Sequence, residues 1–145
     1  MKYLLARCAK LLGDPIQSTL ASVGLLLIRI SIGAFMAFGH GWGKLARFSE
    51  ISAEFPDPLG VGHTLSLAMT VSAEFFCSLA IIVGLATRLA AIPLAFTMVV
   101  AAFIIHDGDP WQKKEFALLY LIPYLALVFT GPGKFSLDAM IRSKI

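Results

Sequence analysis

Arg29–Lys44 reads RISIGAFMAFGHGWGK, an apolar segment that carries an arginine inside it and ends in a glycine-rich turn. The apolar run from Leu20 to Phe38 approaches the roughly 20 helical residues needed to cross a hydrocarbon core of about 30 Å. Small residues recur along it every four positions, at Gly33, Ala37 and Gly41. Such residues let helices approach closely in lipid. The stretch therefore predicts a transmembrane helix that packs against other helices and ends in polar and aromatic residues.

The composition extends this prediction to the whole chain. Of its 145 residues, 58% are hydrophobic and 14% charged, and the mean hydropathy is +0.82. Soluble domains are usually about half apolar and a quarter charged. The apolar runs lack the alternation that is typical of transmembrane β-strands. The sequence predicts one all-α domain over 1–145, an integral membrane up-down four-helix bundle with spans near 18–39, 63–85, 88–106 and 114–131.

Shorter segments flank these spans. Leucines recur at helical spacing in residues 1–12, with basic residues between them, which favours a helix on the membrane surface over a secretory signal. Residues 136–144 predict a second interfacial helix that Ser136 can cap. The loop between the first two spans contains the sequence FPDPLG at 55–60. Its prolines resist a long helix, and its apolar residues suggest that it folds over the bundle.

Lysine and arginine residues are distributed unequally between the two faces. The face with both termini holds seven of them and the opposite face four. Because cytoplasmic loops carry an excess of these residues, we expect a multi-pass protein of the bacterial inner membrane with both termini cytoplasmic. The net charge of +3 then reflects topology, and no basic patch indicates nucleic-acid binding.

Two charged residues fall well inside predicted spans, away from their ends, Arg29 in the first and Glu74 in the second. At about 1.5 Å per residue, both lie near the predicted midplane, where an unpaired charge costs several kcal/mol. We therefore expect an inward-facing Arg29–Glu74 ion pair, which either fixes the helix register or belongs to a functional site. Thr70 and Tyr124 are expected to line the bundle interior.

A second polar group gathers at the predicted outer end of the bundle and comprises His40, Lys44, His106 and Glu115. Three interpretations stay open at this point: polar caps that close loops, a metal site, or a site for a small polar molecule or quinone head group. The last would exchange protons through the histidines. No compact spacing such as HxxxH favours a metal. The cluster is thus a candidate ligand site without a metal, and no catalytic residue is assigned.

The two cysteines, Cys8 and Cys77, form no CxxC motif and are not expected to meet. This argues against a thiol–disulfide relay within the chain. No CxxCH haem motif occurs either, so no covalently bound cofactor is expected.

The order of several motifs resembles the DoxX family of small four-helix inner-membrane proteins: Arg29, Gly33, His40, Gly41, Lys44, Glu74, GLATR at 84–88, His106, EFALL at 115–119 and GPGKFSLD at 131–138. The resemblance covers roughly residues 20 to 141. Family members resemble a membrane subunit of thiosulfate:quinone oxidoreductase, and some are linked with oxidative-stress or sulfur-redox partners. The resemblance thus implies a redox-associated subunit with a quinone or sulfur species as ligand and a cytoplasmic or membrane oxidoreductase partner.

Two other functions remain compatible with the sequence. A small transporter would use a polar path through Arg29, Glu74 and Tyr124 for an anion or a proton. A non-catalytic assembly protein would use its terminal helices to dock a cytoplasmic partner. The small-residue faces are compatible with a homodimer in the bilayer but do not require one.

Overall fold

The computed structural model describes residues 18–144, so the predicted helix over 1–12 lies outside the described residues. Within this range the chain is helical and contains no strand, which confirms the all-α class. In chain order the helices are α1 (Thr19–Ala46), α2 (Phe48–Ile51), α3 (His63–Val83), α4 (Thr87–Ile105), α5 (Trp111–Thr130) and α6 (Leu137–Arg142).

Three of these helices, α1, α3 and α4, are long and apolar enough to cross a membrane. The helix α5 has a comparable length of 20 residues. It differs from the other three because Lys113, Lys114 and Glu115 stand in its first turns. The described residues thus form an all-helical protein with three helices of membrane-spanning character and a fourth long helix.

The four long helices pack side by side. Contact is most extensive between α4 and α5, and α3 packs on both α1 and α4. The shared core consists of buried apolar residues, including Met36, Ile81, Leu94, Met98, Leu121, Tyr124 and Leu127. Many large apolar side chains face outward instead, among them Leu27, Phe35, Phe96, Ile122 and Phe129. Such an apolar exterior is suited to contact with lipid.

The helix α1 is longer than the sequence predicts, because it continues to Ala46 instead of ending near residue 39. The predicted glycine-rich turn is therefore wrong. A Cβ atom at Gly41 would lie 2.8 Å from backbone atoms of Glu74 and Phe75. Only glycine permits this close packing of α1 on α3, and the packing offsets the low helix propensity of glycine. As a result, His40 and Lys44 project from a helix.

Three of the long helices contain π-helical segments: Ala37–Gly41 in α1, Ser72–Cys77 in α3 and Ala101–Ile105 in α4. The first contains His40, the second contains Glu74, and the third directly precedes His106. Single π-helical turns are rare and frequently mark functional sites. Here they coincide with the polar residues of one end of the bundle.

The opposite end is closed by the C-terminal segment. Gly84 ends α3 in a left-handed conformation with φ of 73°. The Asp138 carboxylate then accepts hydrogen bonds from the backbone N–H groups of Ala86 (2.7 Å) and Thr87 (3.0 Å). Ser136 caps α6 by accepting a hydrogen bond from the Ala139 N–H at 3.1 Å, as predicted. The C-terminal helix is thereby fixed to the turn between α3 and α4.

Candidate functional site

A cavity of about 360 Å³, here called the Lys44 cavity, lies at the end of the bundle that carries His40 and Lys44. The helices α1, α3, α4 and α5 and the loop before α3 all contribute to its wall. Most of the lining residues are apolar, including Met36, Met69, Phe96, Met98, Ile105 and Phe116. Polar groups enter at a few points. A mainly apolar pocket with few polar groups is the usual form of a small-molecule site.

The central polar feature of the cavity is an ion pair between Lys44 and Glu74. The Lys44 Nζ lies 2.5 Å from the Glu74 Oε2, and the two side chains are 26% and 7% exposed. A carboxylate buried this deeply needs a charged partner or several hydrogen bonds. Lys44 can reach it because Gly41, one turn earlier, brings the backbone of α1 against Glu74. The glycine and the lysine therefore act together.

The predicted Arg29–Glu74 ion pair is wrong. Arg29 is buried, with 1% exposure, but its guanidinium donates hydrogen bonds to the backbone carbonyl groups of Ile81, Ile82, Pro132 and Phe135. The backbone of α1 meets that of Glu74 at Gly41, twelve residues beyond Arg29 and about 18 Å further along a helix. The prediction that Arg29 and Glu74 lie at the same depth was wrong because it assumed that α1 ends near residue 39.

Two histidines line the cavity from different helices. The ring of His40 contacts the rings of Phe116 and Tyr120, with centroids 5.8 and 5.9 Å away. The Nδ1 of His106 lies 2.7 Å from the Asp109 carboxylate. In neutral His106 this nitrogen carries the proton, because a carboxylate only accepts hydrogen bonds.

Asp109 holds the loop that follows His106. Its carboxylate also accepts a hydrogen bond from Lys113 Nζ at 3.3 Å. The hydrogen bonds from His106 and Lys113 keep the pKa of Asp109 below its usual range. The carboxylate is therefore ionised at neutral pH and orients the histidine.

The remaining predicted residues, Thr70, Glu115 and Tyr124, differ in whether they line the cavity. Thr70 lines the cavity, and its hydroxyl donates to the Ser66 carbonyl at 2.8 Å. Glu115 is exposed and does not line the cavity. Tyr124 is buried in the core, where its ring stacks on Tyr120 at 6.3 Å. The structure thus brings His40, Lys44 and His106 together but leaves Glu115 outside.

Sequence reasoning missed Ser66 and Tyr120 as members of this site, and it assigned Glu74 to a separate ion pair with Arg29. One signal was available, because Ser66, Thr70 and Glu74 recur every four residues and so share one face of α3. No pattern in the sequence indicated that Glu115 lies outside the cavity. Within residues 18–144, no group of three histidine, cysteine or acidic side chains is arranged to hold a metal ion.

The loop over residues 52–62, here called the roof loop, covers the cavity with Phe55, Pro56, Pro58 and Leu59. Asp57 anchors it by accepting hydrogen bonds from the Ser66 hydroxyl (2.6 Å) and from the backbone N–H groups of Gly62 (2.7 Å) and Val61 (3.0 Å). The bond from Ser66, followed by those from the backbone, lowers the pKa of Asp57. The expectation that this loop folds over the bundle is confirmed.

The chain is similar in sequence to one protein family and to several bacterial proteins. The DoxX family model matches residues 24–107, more than half of the chain. The chain is 27% identical over 129 residues to the inner membrane protein YqjF of Escherichia coli strain K12, an alignment that covers 86% of this chain and 97% of YqjF.

Two uncharacterised proteins of Haemophilus influenzae strain Rd are also similar. One is 34% identical over 122 residues, covering 79% of this chain and 87% of that protein. The other is 28% identical over 130 residues, covering 84% and 85%. No solved structure matches the chain. Together with the three helices of membrane-spanning character, the match shows that this chain is a membrane protein of the DoxX family.

Proposed function

We propose that this protein is a redox-associated subunit of the inner membrane whose Lys44 cavity binds the head group of a quinone. The observation that carries the proposal is the cavity itself. Its volume of about 360 Å³ lies at the lower end of the range of small-molecule sites, roughly 300 to 1,000 Å³. It combines an apolar wall with the Lys44–Glu74 pair and two histidines.

These groups suit the chemistry of a quinone. The two carbonyl oxygens of the ring accept hydrogen bonds, and Lys44, His40 and Tyr120 provide N–H and O–H donors in the cavity wall. A bound quinone supplies a two-electron, two-proton carrier. We assign the electrons to an oxidoreductase partner and the protons to the histidines and the Lys44–Glu74 pair. The apolar wall accommodates the ring and its substituents.

The packing weighs against a transporter for an anion or a proton. Such a protein needs a polar path from one end of the bundle to the other. The side chains of Ile81, Leu94 and Leu127 are fully buried in the shared core, and none of them lines the cavity. Arg29 itself is engaged by four carbonyl groups. A purely non-catalytic assembly role would not require a buried ion pair beside a cavity.

We also propose that α5 is the fourth transmembrane helix. Its outward face carries exposed apolar side chains along its whole length: Phe116, Leu119, Ile122, Leu125 and Phe129. A helix of 20 residues is about 30 Å long, and its charged first turn can lie at the membrane surface. Both termini then lie in the cytoplasm and the Lys44 cavity at the outer surface, in agreement with the distribution of basic residues.

Quinone binding tests the proposal directly. The protein is purified in lipid nanodiscs, and ubiquinone-1 binding is measured for wild type, Glu74→Gln and Glu115→Gln. Glu115→Gln is the matched control, because this carboxylate is exposed and lies outside the cavity. We expect wild type and the control to bind equally, and Glu74→Gln to bind at least about tenfold more weakly, a difference of about 1.4 kcal/mol.

Absence of binding by wild type, or equal binding by all three proteins, would overturn the proposal. Thermal unfolding in the same nanodiscs shows whether Glu74→Gln still folds. If it does not, Thr97→Leu replaces it, since a larger side chain at this half-buried position of the wall narrows the cavity. That variant is expected to fold and to lose ubiquinone-1 binding, and retained binding would contradict the proposal.

A further inference from the structure

The Lys44 cavity also reaches the lateral exterior of the bundle, beside α3 and α4. Two residues of its wall, Met69 of α3 and Phe96 of α4, are also 45% and 50% exposed. Both belong to helices of membrane-spanning character. In a bilayer their exposed surfaces meet hydrocarbon rather than water. The cavity is therefore in contact with the lipid phase.

The packing of α3 explains this opening. Its later segments, Ser72–Cys77 and Ser78–Val83, pack closely against α4, whereas its first segment, His63–Val71, makes no comparable contact with that helix. Pro93 and Thr97 of α4 line the cavity. The contact between α3 and α4 is therefore closer near Val83 than near His63.

The aqueous side of the same cavity is covered. Phe55, Pro58 and Leu59 of the roof loop lie over it. Asp57 fixes the loop to the first turn of α3 through the Ser66 hydroxyl, and it closes the loop itself through the backbone N–H groups of Val61 and Gly62. A ligand that arrives from water would have to displace this loop. A ligand that arrives from the bilayer would instead pass the apolar side chains of Met69 and Phe96.

We infer that the ligand enters from the bilayer between α3 and α4, and that it is a quinone with an isoprenoid tail. The tail lies in the opening between α3 and α4, here called the gap, against Met69 and Phe96. The head group reaches the Lys44–Glu74 pair. This inference rests on the proposed function and specifies its ligand, because only a tailed, membrane-soluble molecule uses both the polar head site and an apolar gap at lipid depth.

Narrowing the gap tests the route. In the Met69→Trp/Phe96→Trp variant, two indoles fill the gap without touching the charged residues. The control, Phe76→Trp/Leu89→Trp, places indoles on the exposed faces of the same two helices, away from the cavity. The probes, applied in nanodiscs, are ubiquinone-10 and its tailless analogue, ubiquinone-0.

We expect wild type and the control to bind both probes. The gap variant should bind ubiquinone-10 at least about tenfold more weakly and ubiquinone-0 nearly as well as wild type. Undiminished binding of ubiquinone-10 by the gap variant would overturn the entry route and leave the proposed function intact. Failure of wild type to bind either probe would instead overturn the proposed function itself.

Two further results are informative. If the gap variant loses both probes, Met69→Ala/Phe96→Ala tests the entry route instead. The wider gap of that variant should raise the association rate of ubiquinone-10 several-fold and leave that of ubiquinone-0 unchanged. Equal rates in that variant and in wild type would contradict the inference. Release of a bound phospholipid from the gap variant, with both quinones still bound, would show that an acyl chain occupies the gap.

Discussion

Arg29 joins three parts of the chain at the end of the bundle remote from the Lys44 cavity. Its guanidinium donates to carbonyl groups at the end of α3 and in the segment before α6. Helix ends leave such carbonyl groups without partners, and the planar, five-donor guanidinium of arginine can satisfy several at once. A Cβ atom at Gly84 would lie 3.0 Å from the Arg29 Cζ. The absence of a side chain there makes room for the guanidinium.

Replacing Arg29 with methionine should therefore destabilise the protein strongly. The change keeps an apolar stem but removes the arginine donors from four carbonyl groups, of which, within residues 18–144, only that of Ile81 also accepts from a backbone N–H, at Gly84. This loss costs roughly 2–4 kcal/mol. Unfolding in detergent, followed by circular dichroism, measures the effect. The control is Arg47→Met, since Arg47 pairs with Glu50 on an exposed surface and such pairs contribute about 1 kcal/mol or less. Equal stability of the two variants would contradict this role.

At this scale the sequence identified the buried residues better than it identified their partners. It predicted that Arg29 faces inward, and the arginine is buried. Its partners are backbone carbonyl groups, which leave no signature in side-chain identity. Lys44 lines the cavity, yet its pairing with Glu74 depends on how far α1 extends. That extent follows from the packing of Gly41 on α3, which glycine's low helix propensity does not reveal.

Among the helices, α1 offers a comparison between glycines on its two sides. A Cβ at Gly41 would collide with the backbone of α3 at 2.8 Å, whereas one at Gly39 or Gly43 would meet nothing within 4 Å. Gly41→Ala should thus separate the helices, cost about 1–3 kcal/mol of stability and withdraw Lys44 from Glu74. Gly43→Ala should be neutral or stabilise by up to about 1 kcal/mol.

Thermal unfolding and ubiquinone-1 binding of both variants measure these effects. We expect Gly41→Ala to lose stability and binding together, and Gly43→Ala to keep both. If Gly41→Ala retains wild-type stability, the contact between α1 and α3 is looser than the structure has it.

The roof loop should respond to acid through Asp57. The folded-state pKa of Asp57 lies below its ordinary value of 3.8. The ionised carboxylate therefore anchors the roof loop fully at any pH above 3.8. The anchoring is lost as the pH falls through the lower, folded-state pKa. A spin label at Val61→Cys, in a Cys8→Ser/Cys77→Ser background, reports loop mobility. The label should stay immobile from neutral pH down to about 4 and become mobile below it.

Asp57→Asn should leave the label mobile at every pH, because the amide offers one acceptor oxygen instead of two. Glu54→Gln is the control, since Glu54 is exposed in the same loop, and it should behave like wild type. A label that becomes mobile in both variants would show that Asp57 has no special role as an anchor.

The apolar pattern of the sequence predicted where the helices lie more reliably than it predicted the hydrogen-bonding pattern inside them. The bounds of α3, which begins at His63 and ends at Val83 before Gly84, are close to the predicted span over 63–85. The π-helical segments were not predicted. A π-helical turn shifts the hydrogen bonding of one turn by a residue, and whether this is favourable depends on the neighbouring helix. In α1 and α3 the two segments pack directly on each other, so neither could be recognised from its own sequence.

Taken as a whole, the molecule has two different ends. At one, Arg29 and Asp138 hold the C-terminal segment to the turn between α3 and α4. At the other, the helices separate around a cavity under an anchored loop. Rigidity at the first end lets the second remain open without loss of the fold. The apolar blocks of the sequence were sufficient to predict the helices, but only the packing reveals which end carries the cavity.

The number of membrane crossings decides where that cavity lies. Single cysteines are introduced at Glu54, in the roof loop, and at Lys144, after α6, in a Cys8→Ser/Cys77→Ser background. If α5 crosses the bilayer, three crossings (α3, α4 and α5) separate these exposed positions, and they lie on opposite sides. A membrane-impermeant maleimide should then label Glu54→Cys in intact spheroplasts and Lys144→Cys only in inverted vesicles. Labelling of both from one side would show that α5 does not cross, and the reversed pattern would place the Lys44 cavity in the cytoplasm, against the positive-inside rule.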